Sequence, residues 1–143
     1  MLDPLDRQIL EALQLNARVS TSALARRLES SRSTIQSRID RLEDTGVISG
    51  YTLRLGQDFS DSLIRAHVLI SISPKFAKRV AQSIEKLTDV RALHTISGAF
   101  DMIAEIATES MERLDHVTDH IGAIPGVERT QTSVLMSTRF SRL

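Results

Sequence analysis

Ser31-Arg32-Ser33-Thr34-Ile35-Gln36-Ser37-Arg38-Ile39-Asp40-Arg41-Leu42 is the stretch on which the reading of the first half turns. Ile35, Ile39 and Leu42 recur at helical spacing and form one apolar stripe, and Ser31 is placed to cap the helix. Opposite the stripe lie Arg32, Ser33, Gln36, Ser37, Asp40 and Arg41, flanked by Thr34 and Arg38. Arg forks onto guanine, Gln onto adenine, and Ser or Thr bonds a phosphate or a base edge. The helix N-terminus adds free N–H groups that attract phosphate. An ordinary solvated helix face would carry the same residue types, so the segments on either side have to separate the two readings.

Upstream, Asp3 is placed as an N-cap with Pro4 at the first helical position and Asp6 three residues on. Leu5, Ile9, Ala12 and Leu13 then form an apolar face, and this helix stops near Asn16. Ser20 caps a second helix with Leu24, Ala25 and Leu28 on its inner side, and Ser30-Ser31 interrupts it. Downstream, Gly46 is a C-terminal stop and Val47-Ile48 is expected to return to the core. Three short helices with a serine turn before the third are the spacing of a helix-turn-helix. Between Arg18 and Arg41 stand six Arg and only two acids, Glu29 and Asp40. A local basic patch therefore exists within a chain of zero net charge. Residues 1–50 are assigned to a DNA-binding domain whose contacts to duplex DNA are expected from Ser31, Arg32, Ser33, Thr34, Gln36, Ser37, Arg38 and Arg41.

Tyr51-Thr52-Leu53-Arg54-Leu55 reads as extended, and Gly56-Gln57-Asp58-Phe59-Ser60-Asp61-Ser62 as a polar stretch of turn formers. Residues 51–62 are therefore taken as a linker. From residue 63 the period changes to two: Ile64, Ala66, Val68, Ile70 and Ile72 alternate with Arg65, His67, Leu69 and Ser71. Ser73-Pro74 starts a helix with Phe76, Ala77, Val80, Ala81, Ile84 and Leu87 on one face. Strands follow at 91–97 and 102–107, joined by the turn Ser97-Gly98-Ala99-Phe100-Asp101. A helix carrying Met111, Leu114, Val117 and Ile121 precedes a last strand over 127–136. The order β-α-β-β-α-β is the ferredoxin-like split unit. The fold class is thus α+β, a winged-type helix-turn-helix domain followed by a βαββαβ domain over 63–143. Two helices cover one face of such a sheet, so a partner sheet is expected on the other.

Composition narrows the chemistry further. The 143 residues contain no Cys, which excludes disulfides and thiolate metal sites. Four Phe, one Tyr and no Trp leave little for a base-stacking platform, whereas reading of duplex DNA by polar side chains stays open. No signal-like start and no membrane-length apolar run are present, so a cytoplasmic location with no membrane partner is expected. His116 and His120 stand i, i+4 apart but beside Asp115 and Asp119, which favours a solvated face over a metal site. No catalytic triad, phosphate loop or paired-carboxylate pattern stands out. Gly98 lets backbone approach a ligand, and Asp101 offers a carboxylate to an ammonium group; the same residues also make a tight hairpin turn.

The sequence closely resembles the Lrp/AsnC family of leucine- and asparagine-responsive regulators. The resemblance runs through Leu2-Asp3-Pro4-Leu5-Asp6-Arg7-Gln8-Ile9-Leu10, Leu13-Gln14-Leu15-Asn16-Ala17-Arg18-Val19-Ser20 and Leu24-Ala25-Arg26-Arg27-Leu28. It continues in Ser31, Ile35, Arg38-Ile39, Leu42-Glu43 and Gly46-Val47-Ile48. The second half resembles the family's RAM domain in Ser97-Gly98, Phe100-Asp101 and Gly126-Val127. The resemblance implies a transcriptional regulator, not an enzyme, that answers to an amino acid and uses no other cofactor. It implies an effector site at Ser97, Gly98, Ala99, Phe100 and Asp101, with Thr132, Ser133 and Val134 of the last strand, and homodimers that assemble into tetramers or octamers.

Two departures carry physical meaning. The family usually has Gly-Leu where this chain has Glu29-Ser30; a left-handed backbone at 29 would cost about 1 kcal/mol with Glu in place of Gly. Ala99 stands where the family's turn often has an acid, which argues against a basic effector and for a neutral or apolar one. Sirohaem decarboxylases resemble the same family and form a rival, enzymatic class. The polar, Arg-bearing third helix favours the regulator, and a stand-alone effector module would lack the first fifty residues.

Overall fold

The computed structural model describes residues 1–141 and falls into two compact units, Met1–Arg54 and Leu55 onward. In the first, α1 (Pro4–Leu15), α2 (Thr21–Arg27) and α3 (Arg32–Asp44) enclose a core of Ile9, Ala12, Leu24, Ala25, Ile35 and Leu42. Each fully buried Ile or Leu contributes roughly 1.5–3 kcal/mol by leaving water. The caps follow the sequence. Asp3 accepts from the Asp6 N–H at 2.9 Å and Asp6 returns the bond to the Asp3 N–H at 3.0 Å, a complete capping box. Ser20 caps α2 and Ser31 caps α3.

Helix α2 ends in a Schellman turn. Ser30 donates to the Ala25 carbonyl at 2.9 Å and Glu29 to that of Arg26 at 3.4 Å, with Glu29 itself left-handed at φ 53°. Position 29 therefore does take the conformation for which the family's Gly is suited. Ile48 is half-buried against the core and donates to the Leu42 carbonyl at 2.9 Å, but Val47, expected beside it, is exposed: the left-handed Gly46 turns it outward.

The second unit opens with one helical turn, α4 (Gln57–Ser60), where the sequence reads only as turn formers. No strand forms over residues 51–55. Strand β1 (Ile64–Ile72) is followed by a 3₁₀ turn (Pro74–Phe76), α5 (Ala77–Glu85), β2 (Val90–Thr95), β3 (Met102–Thr108), α6 (Met111–Gly122) and β4 (Val127–Val134). The sheet is antiparallel throughout, in the order β2-β3-β1-β4. The apolar alternation of β1 buries Ala66, Val68, Ile70 and Ile72 with Met102, Ala104 and Ile106 of β3, under Val80 and Ile84 of α5 and Leu114, Val117 and Ile121 of α6. Arg65, His67, Leu69 and Ser71 share the opposite face with Ile103, Glu105 and Ala107 of β3, as the period of two dictates.

The β1–β4 ladder shifts register at Ser71/Ile72: Ser71 pairs with Arg129 and Ile72 with Val127. Glu128 is the extra residue of this bulge. Beside it, Gly126 is held at φ +101° against Phe76, where any Cβ would stand 2.3 Å from the Phe76 Cβ.

Candidate functional site

On α3 the outer stripe is Ser33, Gln36, Ser37, Asp40, Arg41 and Asp44, which lines a shallow open surface. Ser31, Arg32, Ser33, Gln36 and Ser37 are exposed and Thr34 is half-buried. Several of these side chains are already oriented. Gln36 donates its amide nitrogen to Asp40 at 2.7 Å and accepts from the Thr21 hydroxyl of α2 at 3.1 Å, so both ends of the amide are fixed before any ligand arrives. Ser31 donates to Thr34 Oγ1 at 2.7 Å and accepts from its N–H at 3.1 Å, with Ser33 Oγ also 3.1 Å away. Ser31 therefore acts as the helix cap in this structure.

Arg41, expected on the outer face, and Arg38, expected on its flank, are both drawn toward α1. Arg38 bonds Asp3 and, at 3.0 Å, Asp6 Oδ1; Arg41 Nη2 lies 2.6 Å from Asp6 Oδ2. The Asp6 side chain is 0% exposed, that of Arg38 is 27% exposed and that of Arg41 is 51% exposed. The physical reason is charge. A carboxylate that has left water needs cations and donors, and two guanidiniums one helical turn apart on α3 supply them. Burial pushes the Asp6 carboxyl upward. The Asp3 N–H, the Arg38 hydrogen bond and the Arg41 charge outweigh it and leave Asp6 below the ordinary aspartate value. Asp3 is lowered mainly by its bond to Arg38. The sequence reading placed Asp6 three residues after the cap and missed this second role; the signal that could have found it is an acid on the inner side of an amphipathic helix, beside Leu5 and Ile9.

In the second unit, the 97–101 loop joins β2 to β3. Ser97, Gly98, Ala99 and Asp101 are exposed and Phe100 is half-buried. Gly98 sits at φ +113° with nothing within 4 Å of where a Cβ would be, so its backbone is open to a ligand. Asp101 is tied into the sheet. Its N–H donates to the Ile70 carbonyl at 2.9 Å, its carbonyl accepts from Ile96 at 3.0 Å, and its Oδ2 accepts from the Ile72 N–H at 2.9 Å. That third bond satisfies a strand-end donor beside the β1–β4 bulge, a structural task in addition to the ligand role expected for this carboxylate.

Arg129, which the sequence did not single out, lies over the Phe100 ring at 4.6 Å. It became visible only through the strand register. Thr132, Ser133 and Val134 do not join the loop within one chain. They pair with Val68, His67 and Ala66, while the loop is anchored further along β1, at Ile70 and Ile72, and on the β3 side of that strand, across it from β4.

Among the described residues, no group of three or more His, Cys, Asp or Glu is placed to hold a metal. No helix among them is long and apolar enough to cross a membrane. His116 and His120 lie exposed along α6 with Glu112, Asp115 and Asp119.

A helix-turn-helix unit followed by a βαββαβ unit with an open-backbone loop defines a two-domain DNA-binding protein with a ligand-binding module. Residues 2–49 match the winged helix-turn-helix DNA-binding family and residues 65–142 the Lrp/AsnC ligand-binding domain. The chain belongs to the Lrp/AsnC family of transcriptional regulators; that family consists of regulators, not enzymes. The HTH-type transcriptional regulator FL11 of Pyrococcus furiosus is 30% identical over 136 residues, covering 95% of this chain and 90% of that protein. The structure of AsnC from E. coli superposes with a TM-score of 0.89 at 25% identity, covering 100% of this chain and 97% of that one. A transcriptional regulator of Neisseria meningitidis, solved as a complex with L-Met, gives a TM-score of 0.89 at 26% identity, covering 99% and 94%.

Proposed function

We propose that this regulator is controlled by a neutral or apolar amino acid bound at the 97–101 loop. The supporting observation is the loop itself: Gly98 holds a positive-φ backbone with open space where a side chain would stand, the kind of turn whose N–H groups can hold a carboxylate. Ala99 leaves the pocket edge without the extra acid that would suit a basic side chain. The L-Met complex of the Neisseria relative supports the same ligand class. Thr132–Val134 contribute from another copy of the chain, since within one chain they lie away from the loop. The protein therefore works as a homodimer that assembles into tetramers or octamers, in the cytoplasm. The ligand biases assembly through its different affinity for the two states.

DNA is read by Arg32, Ser33, Gln36 and Ser37, with Ser31 and Thr34 at the helix N-terminus. A thermal-shift and calorimetry panel of the twenty amino acids tests the effector. A neutral amino acid should raise the apparent stability, and Gly98→Arg should abolish the response while duplex binding persists. Tightest binding of Lys or Arg, or an unchanged response in Gly98→Arg, would overturn the assignment.

A further inference from the structure

Two of the three arginines of α3 are paired with carboxylates of α1. Arg38 bridges Asp3 and Asp6, and Arg41 takes the second oxygen of Asp6. Of the three, only Arg32 has no carboxylate among its ion-pair partners within the described residues, and the outward stripe carries Ser33, Gln36 and Ser37 beside Asp40, Asp44 and the already paired Arg41. We propose that Asp6 is a specificity-determining positioning residue for DNA binding: its buried carboxylate holds Arg38 and Arg41 against α1 and withholds two cations from sequence-independent contact with phosphate.

Attraction to phosphate supplies nearly all non-specific affinity and carries no sequence information, whereas base-edge contacts do. Restraining cations beside the reading stripe therefore lowers binding to every duplex while leaving the base contacts of Gln36 and Ser33 in place. The arrangement suits this task because Asp6 is out of reach of solvent. Its hold on the two arginines is weakly screened by salt, unlike that of a surface carboxylate. The capping box fixes the backbone that carries it, since Asp3 and Asp6 exchange bonds at 2.9 and 3.0 Å. The groups facing the two guanidiniums are thus Asp3 and Asp6 of α1, while Asp40 is occupied by Gln36.

The test uses the full-length protein, a high-affinity duplex selected from a random pool, and a scrambled duplex of equal length, over a salt series. Asp6→Asn keeps the shape and removes the charge. It should bind the scrambled duplex about tenfold more tightly at low salt and steepen the slope of log K against log salt by about 0.9 for each arginine released. The ratio of selected to scrambled affinity should fall. Asp6→Asn combined with Arg41→Gln should return the slope toward wild type, which a merely structural role for Asp6 would not produce. A folded Asp6→Asn protein with unchanged slope and ratio overturns the proposal. Should Asp6→Asn fail to fold, Arg41→Gln alone decides. A slope unchanged from wild type supports sequestration; a slope flattened by about one unit shows that Arg41 already contacts phosphate and overturns it.

Discussion

The carboxylate of Asp101 accepts the backbone N–H of Ile72 at 2.9 Å, at the step where the β1–β4 register shifts. One side chain of the 97–101 loop thus closes the end of a strand. Asp101→Ala should leave the Ile72 N–H without its partner and destabilise the second unit by about 1–3 kcal/mol, whereas Asp101→Asn, which keeps an oxygen in place, should lose less than half of that. Denaturant unfolding of both variants checks this. Equal losses would show that the charge, not the acceptor, matters.

Acid should weaken the first unit through Asp6 and Asp3. Both have folded-state values below the ordinary aspartate value of about 3.9, so their contribution is fully present above that pH and is lost as the pH falls through the lowered values. Circular-dichroism melts between pH 6 and pH 2 should therefore show a falling Tm below about pH 4. The fall should be smaller in Asp6→Asn. Asp89, held down chiefly by its hydrogen bonds to Arg113, adds a loss of the same sign in the second unit.

Glu29→Gly should stabilise the protein by roughly 0.5–1 kcal/mol, because the residue stands at φ 53° in the Schellman turn and only glycine occupies that region without a Cβ penalty. A chevron or equilibrium urea curve reads it directly, and a destabilised variant would mean that the Glu29 side chain does more than fill the position.

Gly126→Ala should be among the most damaging small substitutions in the chain. The new methyl would stand 2.3 Å from the Phe76 Cβ, in a backbone at φ +101°, so the Pro74–Phe76 turn must move. A loss of 2 kcal/mol or more is expected, of the size that overpacking and strain produce together. Trimming Phe76 to Ala in the same protein should recover only part of it, because the backbone strain at 126 remains.

Much of this architecture was legible in the sequence because it rests on local patterns. The capping signals at Asp3, Ser20 and Ser31 and the two-residue alternation of β1 located helices and strands to within a few residues. The stop at Gly46 and the turn at Gly98 did the same for the ends. What the sequence withheld depends on contacts distant along the chain. A periodic reading puts Arg41 on a polar outer face and Arg38 on its flank, and only the three-dimensional approach of α1 shows that a buried acid claims them. Arg129 meets Phe100 only once the register of β4 against β1 is known. Val47, read as apolar and therefore inward, is carried outward by the left-handed Gly46 before it.

The strand order leaves β1 and β4 side by side and antiparallel, with Ala66 opposite Val134. The sheet of the ligand-binding unit thus begins and ends at almost one point, like a leaf on its stem. A segment with adjoining ends can be spliced into a surface loop of an unrelated host without prising that loop apart. Residues 63–136, inserted into a fluorescent reporter, would make a compact graft held through two neighbouring junctions.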